Sequence, residues 1–240
     1  MEQLYQIETV ITPSLCDAEG LLDWGRAFGL FMDLASLHSE ELGTGVRAML
    51  ERDLFWLAAR SRARFRRRPR VGERVTLQTW PDRPGKVRVL RSYRILQGEE
   101  ELAAAKTDWA VLRVSTHSLA QLTGVFPPQL EFDLPPACPE PFARLRREFG
   151  PEDVCGEYRV RSTDIDLGGH VNNAAYLPVL LASFSTQQRR EHAFREIDLV
   201  YKAPCFEGDL LQLARRPAEG GGWDLALLRD DKPAFLARLA

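Results

Sequence analysis

RSTDIDLGGHVNNAAYLPVLL, running from Arg161 to Leu181, sets a polar turn directly ahead of an apolar run. Residues 157–162 before it alternate in the manner of a strand, and the run after it has helical character. Asn172 or Asn173 can cap that helix, because a short carboxamide accepts from a free first-turn N–H. Those N–H groups carry partial positive charge and can polarise a carbonyl. Gly168 and Gly169 let a ligand approach the backbone with no side chain in the way. Asp166 and His170, an acid/base pair, flank that spot. Taken singly, a Gly-Gly turn, an Asn-Asn cap, an aspartate or a histidine is an ordinary structural feature. Their concentration within eight positions makes this the candidate site.

Outward from the junction, the chain reads as one pattern used twice. Residues 4–11 form a strand, Asp17-Ala18-Glu19-Gly20 a turn, and residues 23–42 a helix. Its apolar positions Trp24, Ala27, Phe28, Phe31, Leu34 and Ala35 make a face broad enough for enclosure. Gly43 and Gly45 end that helix. Strands are predicted at 54–68, 73–80, 86–96 and 102–114, an α+β pattern. Seven of the 15 prolines fall between Val125 and Pro151, where a surface linker is expected. The pattern then restarts with a strand at 157–163, a helix at 173–191, and strands at 196–203, 210–215, 223–229 and 234–239. An offset of 149 lays Asp17 on Asp166 and Gly20 on Gly169, but Leu21 on His170. A duplication is implied, with chemistry kept in the second copy and the first forming a wall. Pro178 strains this scheme: inside the helix it must kink the axis or force a later start.

Composition narrows the function classes. The chain has 240 residues, 45% of them apolar, enough for a sizeable core. A net charge of −2 argues against nucleic acid as the main partner. No run approaches the ~18 apolar residues of a membrane span, and Met1-Glu2-Gln3-Leu4 does not open a signal peptide, so a cytoplasmic protein is expected. Cys16, Cys138, Cys155 and Cys205 lie far apart without a CxxC pair, which suits reduced thiols and neither a zinc site nor a disulfide framework. Seven arginines fall between Arg60 and Arg70. Alternation puts Arg60, Arg62, Arg64 and Arg66 on one strand face, either solvated or docking an acidic carrier or a phosphate.

Several segments resemble the acyl-acyl carrier protein thioesterases of plants and bacteria, a double hotdog family. They are residues 30–45, 55–81 and 106–112 in the first half, and DIDLGGHVNNAAYL (164–177) and LVYKAPCFEGD (199–209) in the second. The family pattern D-x-N-x-H-x-x-N-x-x-Y falls on Asp166, Gly168, His170, Asn173 and Tyr176. Single-domain hotdog acyl-CoA thioesterases share a D-x-x-G-H-V-N-N that this chain meets in full. Two departures stand out: Gly168 replaces the family asparagine, and Pro204 replaces the glutamate before Cys205. The resemblance implies two tandem hotdog domains, each a long central helix wrapped by an antiparallel sheet, at 1–124 and 153–240 around a 125–152 linker. It implies catalytic roles for Asp166 and His170, and substrate contacts from Gly168, Gly169, Asn173 and Tyr176. No cofactor or metal is implied. The partners would be an acyl carrier protein or acyl-CoA, and the chain a monomer or homodimer. Acyl-carrier hydrolysis, acyl-CoA hydrolysis and non-catalytic acyl binding all stay open at this point.

Overall fold

Strand pairing organises the molecule, whose computed structural model describes residues 2–240. The strands are β1 (Tyr5–Val10), β2 (Leu54–Phe65), β3 (Arg74–Pro81), β4 (Arg88–Gln97), β5 (Glu100–Arg113), β6 (Ser118–Leu119), β7 (Val154–Arg159), β8 (Glu196–Tyr201), β9 (Leu210–Pro217), β10 (Trp223–Arg229) and β11 (Lys232–Leu239). They make one sheet in the order β1-β3-β4-β5-β2-β8-β11-β10-β9-β7, with β6 on the edge of β5. The two halves join at β2 and β8, where Arg60 pairs with Val200 and Arg64 with Glu196. Four helices fill the concave side: α1 (Trp24–Glu41), α2 (Val46–Leu50), α3 (Asn173–Leu181) and α4 (Thr186–Glu191).

The duplication read from the sequence is present in the elements. β1 and β7, the 3-10 turns Pro13–Leu15 and Ser162–Asp164, and the starts of α1 and α3 lie 149 residues apart. So do the bridges Cys16 to Leu22 and Ile165 to Val171, and the caps Asp23 and Asn172. Asp23 accepts from the N–H groups of Gly25 and Arg26, and Asn172 from that of Ala174. One apolar core runs through both halves, joining Phe28, Phe31 and Tyr93 to Leu177, Leu180 and Phe235.

The second helix departs from the sequence reading. The continuous helix predicted over 173–191 is broken between Leu181 and Thr186. Pro178 removes one hydrogen bond inside α3, the Ser183 hydroxyl satisfies the carbonyl of Leu180 at 2.7 Å, and Ser185 caps a new helix in a capping box with Gln188. Pro178 itself is seated on Gly25 of α1, where a Cβ would lie 2.7 Å from the proline ring. The strand predicted at 157–163 also starts and ends earlier, its last residues forming the 3-10 turn.

The Pro-rich segment is a strap laid over the face of the sheet turned away from α1. Pro135 accepts from the Trp80 indole at 3.2 Å, Phe142 lies under the guanidinium of Arg60 at 4.3 Å, and the Ala143 N–H donates to Asp198 at 2.9 Å. Farther on, Leu145 and Phe149 pack on the second half's strands. Arg60, Arg62 and Arg64 of β2 share one face as the alternation predicts and are ion-paired, while Arg60 stays half exposed and Arg66, just beyond the strand, is mostly exposed. Arg60 pairs with Asp108, Arg62 with Asp198 and Glu196, and Arg64 with Glu140 of the strap.

Candidate functional site

The junction folds as an antiparallel turn pinned by the Ile165–Val171 bridge. The Asp166 N–H donates to the His170 carbonyl at 3.0 Å, and the Gly169 N–H returns to the Asp166 carbonyl at 3.0 Å. The side chain of Asp166 closes the turn by accepting from the Gly168 N–H at 2.7 Å. Gly169 sits at φ 75°, which requires glycine for an unstrained turn. The bonds that place the carboxylate are local, and the turn as a whole is anchored where the Val171 N–H donates to the Cys205 carbonyl at 2.8 Å.

His170 folds back over this turn. Its Nδ1 lies 3.6 Å from Asp166 Oδ1 and 3.4 Å from the Val171 carbonyl, and the Phe55 ring meets it edge-on. A Cβ on Gly168 would come within 2.9 Å of the imidazole Nε2 and 3.0 Å of Asp166 Oδ1. The glycine in place of the family asparagine is therefore what leaves room for the imidazole against the carboxylate. Both side chains are about a quarter exposed, so solvent reaches them.

The turn forms one wall of a cavity of about 580 Å³ whose other walls come from the first half. α1 supplies Met32 and Ala35, α2 Met49, and the strands Trp56, Val89 and Trp109. Asp166, Gly168, His170 and Asn173 all line it. Because Asn172 takes the capping role, Asn173 is released to the cavity, and its backbone N–H has no acceptor among the described residues. Gly169 shapes the turn from outside the lining. Tyr176 is not at the cavity: it is buried in the second half's core, stacked on Phe235, its hydroxyl accepting from the Cys205 N–H at 3.2 Å. Cys205 is likewise fully buried, and burial pushes its thiol pKa up, the reverse of an activated nucleophile.

The equivalent turn in the first half is closed. Asp17 accepts from the Glu19 and Leu21 N–H groups and is ion-paired to Arg68. Burial acts to raise its carboxyl, but the bond and charge of Arg68 outweigh it and hold the group below the usual carboxylate range. Arg68 in turn lies 3.8 Å above the Trp24 ring. α4 seals the position, Arg189 pairing with Asp23 and Arg190 with Glu19. The helix break thus lets α4 cover the first-half turn.

Among the lining residues that escaped the sequence reading are Asp33 and Arg91. Asp33 of α1 lines the same cavity, and desolvation pushes its carboxyl up. Arg91 lines it as well, and its signal was available: it shares strand parity with the buried Val89, Tyr93 and Ile95. Among the described residues no group of three or more His, Cys, Asp or Glu could hold a metal ion, and no helix is long and apolar enough to cross a membrane.

Comparison with known proteins follows the same division of the chain. The family model described as acyl-ACP thioesterase N-terminal domain matches residues 4–124, and that described as acyl-ACP thioesterase C-terminal domain matches residues 151–224. A chloroplastic palmitoyl-acyl carrier protein thioesterase of Cuphea hookeriana is 25% identical over 183 residues, 73% of this chain and 44% of its own. A chloroplastic oleoyl-acyl carrier protein thioesterase of Coriandrum sativum is 23% identical over 210 residues, 78% of this chain and 56% of its own. The chain thus spans about half the length of these relatives. Among solved structures, an acyl-ACP thioesterase from Bacteroides thetaiotaomicron superposes with a TM-score of 0.87 at 19% identity, over 99% of this chain and 97% of that one. A 12:0-ACP thioesterase from Umbellularia californica gives 0.85 at 15%, over 99% and 96%. The fold is the one those structures have, an α+β double hotdog.

Proposed function

The chain belongs to the acyl-acyl carrier protein thioesterase family, and from that premise we propose that it hydrolyses fatty acyl-acyl carrier protein thioesters to free fatty acid and carrier protein. The observation that supports this most is the pairing of Asp166 with His170 on the wall of a largely apolar cavity. In this reading Asp166 Oδ1 is held by the Gly168 N–H, and Oδ2, which has no partner among the described residues, takes the proton of an attacking water. Water oxygen bonds to the thioester carbon, the tetrahedral intermediate collapses, and the departing sulfur recovers the proton from Asp166. His170 orients the carboxylate and the thioester, and the free Asn173 N–H receives the developing oxyanion. Gly168 admits the thioester to the backbone. Gly169 acts on substrate only through the turn it permits.

The division of labour follows. Residues 1–124 form a hotdog domain with a degenerate site and most of the acyl cavity, 153–240 a second one carrying the catalytic turn, and 125–152 the connection. Such a pair supplies internally what a dimer of single hotdogs supplies, so we read the chain as a monomer or a homodimer. Free cysteines among the described residues, Cys138 and Cys205 buried, suit a reducing compartment, and we assign it to the cytoplasm.

Asp166→Asn tests the assignment: thiol release from acyl-carrier substrate should fall by about two orders of magnitude or more with the melting temperature unchanged. Turnover near that of the unaltered protein would refute it. Acyl-CoA is the second reading, favoured by Asp166 and Gly169-His170-Val171-Asn172-Asn173, which meet the D-x-x-G-H-V-N-N pattern of the single-domain enzymes. Matched rates on the same acyl group carried by CoA and by carrier protein separate the two.

A further inference from the structure

The far end of the cavity is charged. Arg91 lines it and is only 5% exposed. It sits on β4, two strands from β2 in the sheet order, and pairs with Thr107 of β5, five residues along from the Leu112 that pairs with Phe55. At ~4.8 Å per strand and ~3.3 Å per residue, its backbone is roughly 20 Å from that of Phe55 on the His170 side. Its Nη1 donates to His38 Nδ1 at 3.1 Å and to Thr79 Oγ1 at 3.4 Å, and its Nη2 donates to Ser39 Oγ at 3.4 Å. His38 is the neutral acceptor in this arrangement, since its Nε2 faces the Glu2 carbonyl at 3.3 Å and the ring pKa is depressed to about 4 by burial and by Arg91 itself.

All three partners are uncharged. Among the described residues Arg91 forms no ion pair, although carboxylates are near. Glu40, also on the lining, accepts from the Val46 N–H at 3.1 Å, and Asp82 accepts from the Ser92 hydroxyl on the other side of the strand. Asp33 belongs to the same lining and forms no ion pair. Nothing among the described residues accepts from Arg91 Nε, so the Nε–H/Nη2–H edge is incompletely used. Asp82 acts on Arg91 only through space, and a buried cation with no direct ion pair is unfavourable; covering it with a hydrocarbon end would bury its unused donors as well. That edge is the one that takes a carboxylate in a two-point fork.

We propose that the cavity selects acyl groups whose distal end carries a carboxylate, with Arg91 as the residue that binds it. The proposal rests on the reading of this cavity as the acyl site, and it names which acyl groups fill it. Thioester at Asp166 and carboxylate at Arg91 would fix both ends of the chain, making acyl length a matter of matching that span.

Binding, rather than turnover, tests this. The probes are N-methyl monoamides of octanedioic, decanedioic and dodecanedioic acids, each against the N-methylamide of the corresponding monoacid. They are non-hydrolysable and neutral at the thioester end. Calorimetric titration of the unaltered protein should show the carboxyl-ended member binding at least about tenfold tighter in the best-fitting pair, as expected for one charge-assisted fork. Arg91→Met should bring that pair to within about threefold. Equal or reversed affinities in the unaltered protein would overturn the proposal, and so would a preference that survives Arg91→Met. The first comparison needs no variant, so a misfolded Arg91→Met leaves the proposal falsifiable. A protein that binds these probes as predicted yet releases no thiol would count against the hydrolysis reading alone.

Discussion

Gly168 shows how much of the site depends on one missing methyl. Its backbone is not in the left-handed region, so alanine there meets no φ penalty. The added Cβ would instead meet the imidazole at 2.9 Å and the carboxylate at 3.0 Å, and the imidazole is the freer of the two to move. Gly168→Ala should therefore lower kcat/KM by about tenfold or more through misplacement of His170, with little change in melting temperature. Steady-state kinetics beside a thermal melt check both halves of that statement. His38 carries a different residue-scale prediction. Its folded pKa of about 4 lies below the unfolded value of 6.5, so between those limits the unfolded chain binds a proton that the folded one does not. Stability is then fully present above pH 6.5 and declines as pH falls toward 4. Melting temperatures across that window should fall less steeply in His38→Gln than in the unaltered protein.

At the scale of elements, the contact between α1 and α3 is governed by Gly25 and Pro178. A Cβ at 2.7 Å from the proline ring forces the helices apart, so Gly25→Ala should destabilise the fold by about 1–3 kcal/mol, in part restored by Pro178→Ala. Chemical denaturation of the two single variants and the double gives the coupling. This contact also marks the limit of what the sequence discloses. The candidate turn was legible because the bonds from Asp166 to His170 span no more than four residues, so Asp166, Gly168 and His170 carry their own geometry. The 149-residue repeat was legible for the same reason, each copy repeating a local cap and turn. The break after Leu181 was not, because α4 is held by Asp23 and Glu19, more than 160 residues away. Tyr176 misled for a related cause: its spacing matches the motif, while its direction is set by Phe235 and Cys205 on remote strands. The cavity walls at Arg91 and Trp109 likewise depend on strand order, which no local pattern contains.

For the whole molecule, the strap and the β2–β8 seam act together. Asp198 accepts from Arg62 at 2.6 Å and from the Ala143 N–H at 2.9 Å, so one buried carboxylate ties both halves to the strap. Asp198→Ala leaves the buried Arg62 with the part-exposed Glu196 alone and should cost about 1–3 kcal/mol. Trypsin should then cut faster after Arg144, Arg146 and Arg147, all exposed on the released segment, as timed proteolysis would show. The closure of the first-half turn by Arg68 and α4 has a consequence at this same scale. A symmetric pair of hotdog units would present two equivalent open turns, but this polypeptide leaves one open to a cavity. Saturating it with an unreactive acyl analogue should give a stoichiometry of one per chain, with a single-step isotherm and no cooperativity between equals.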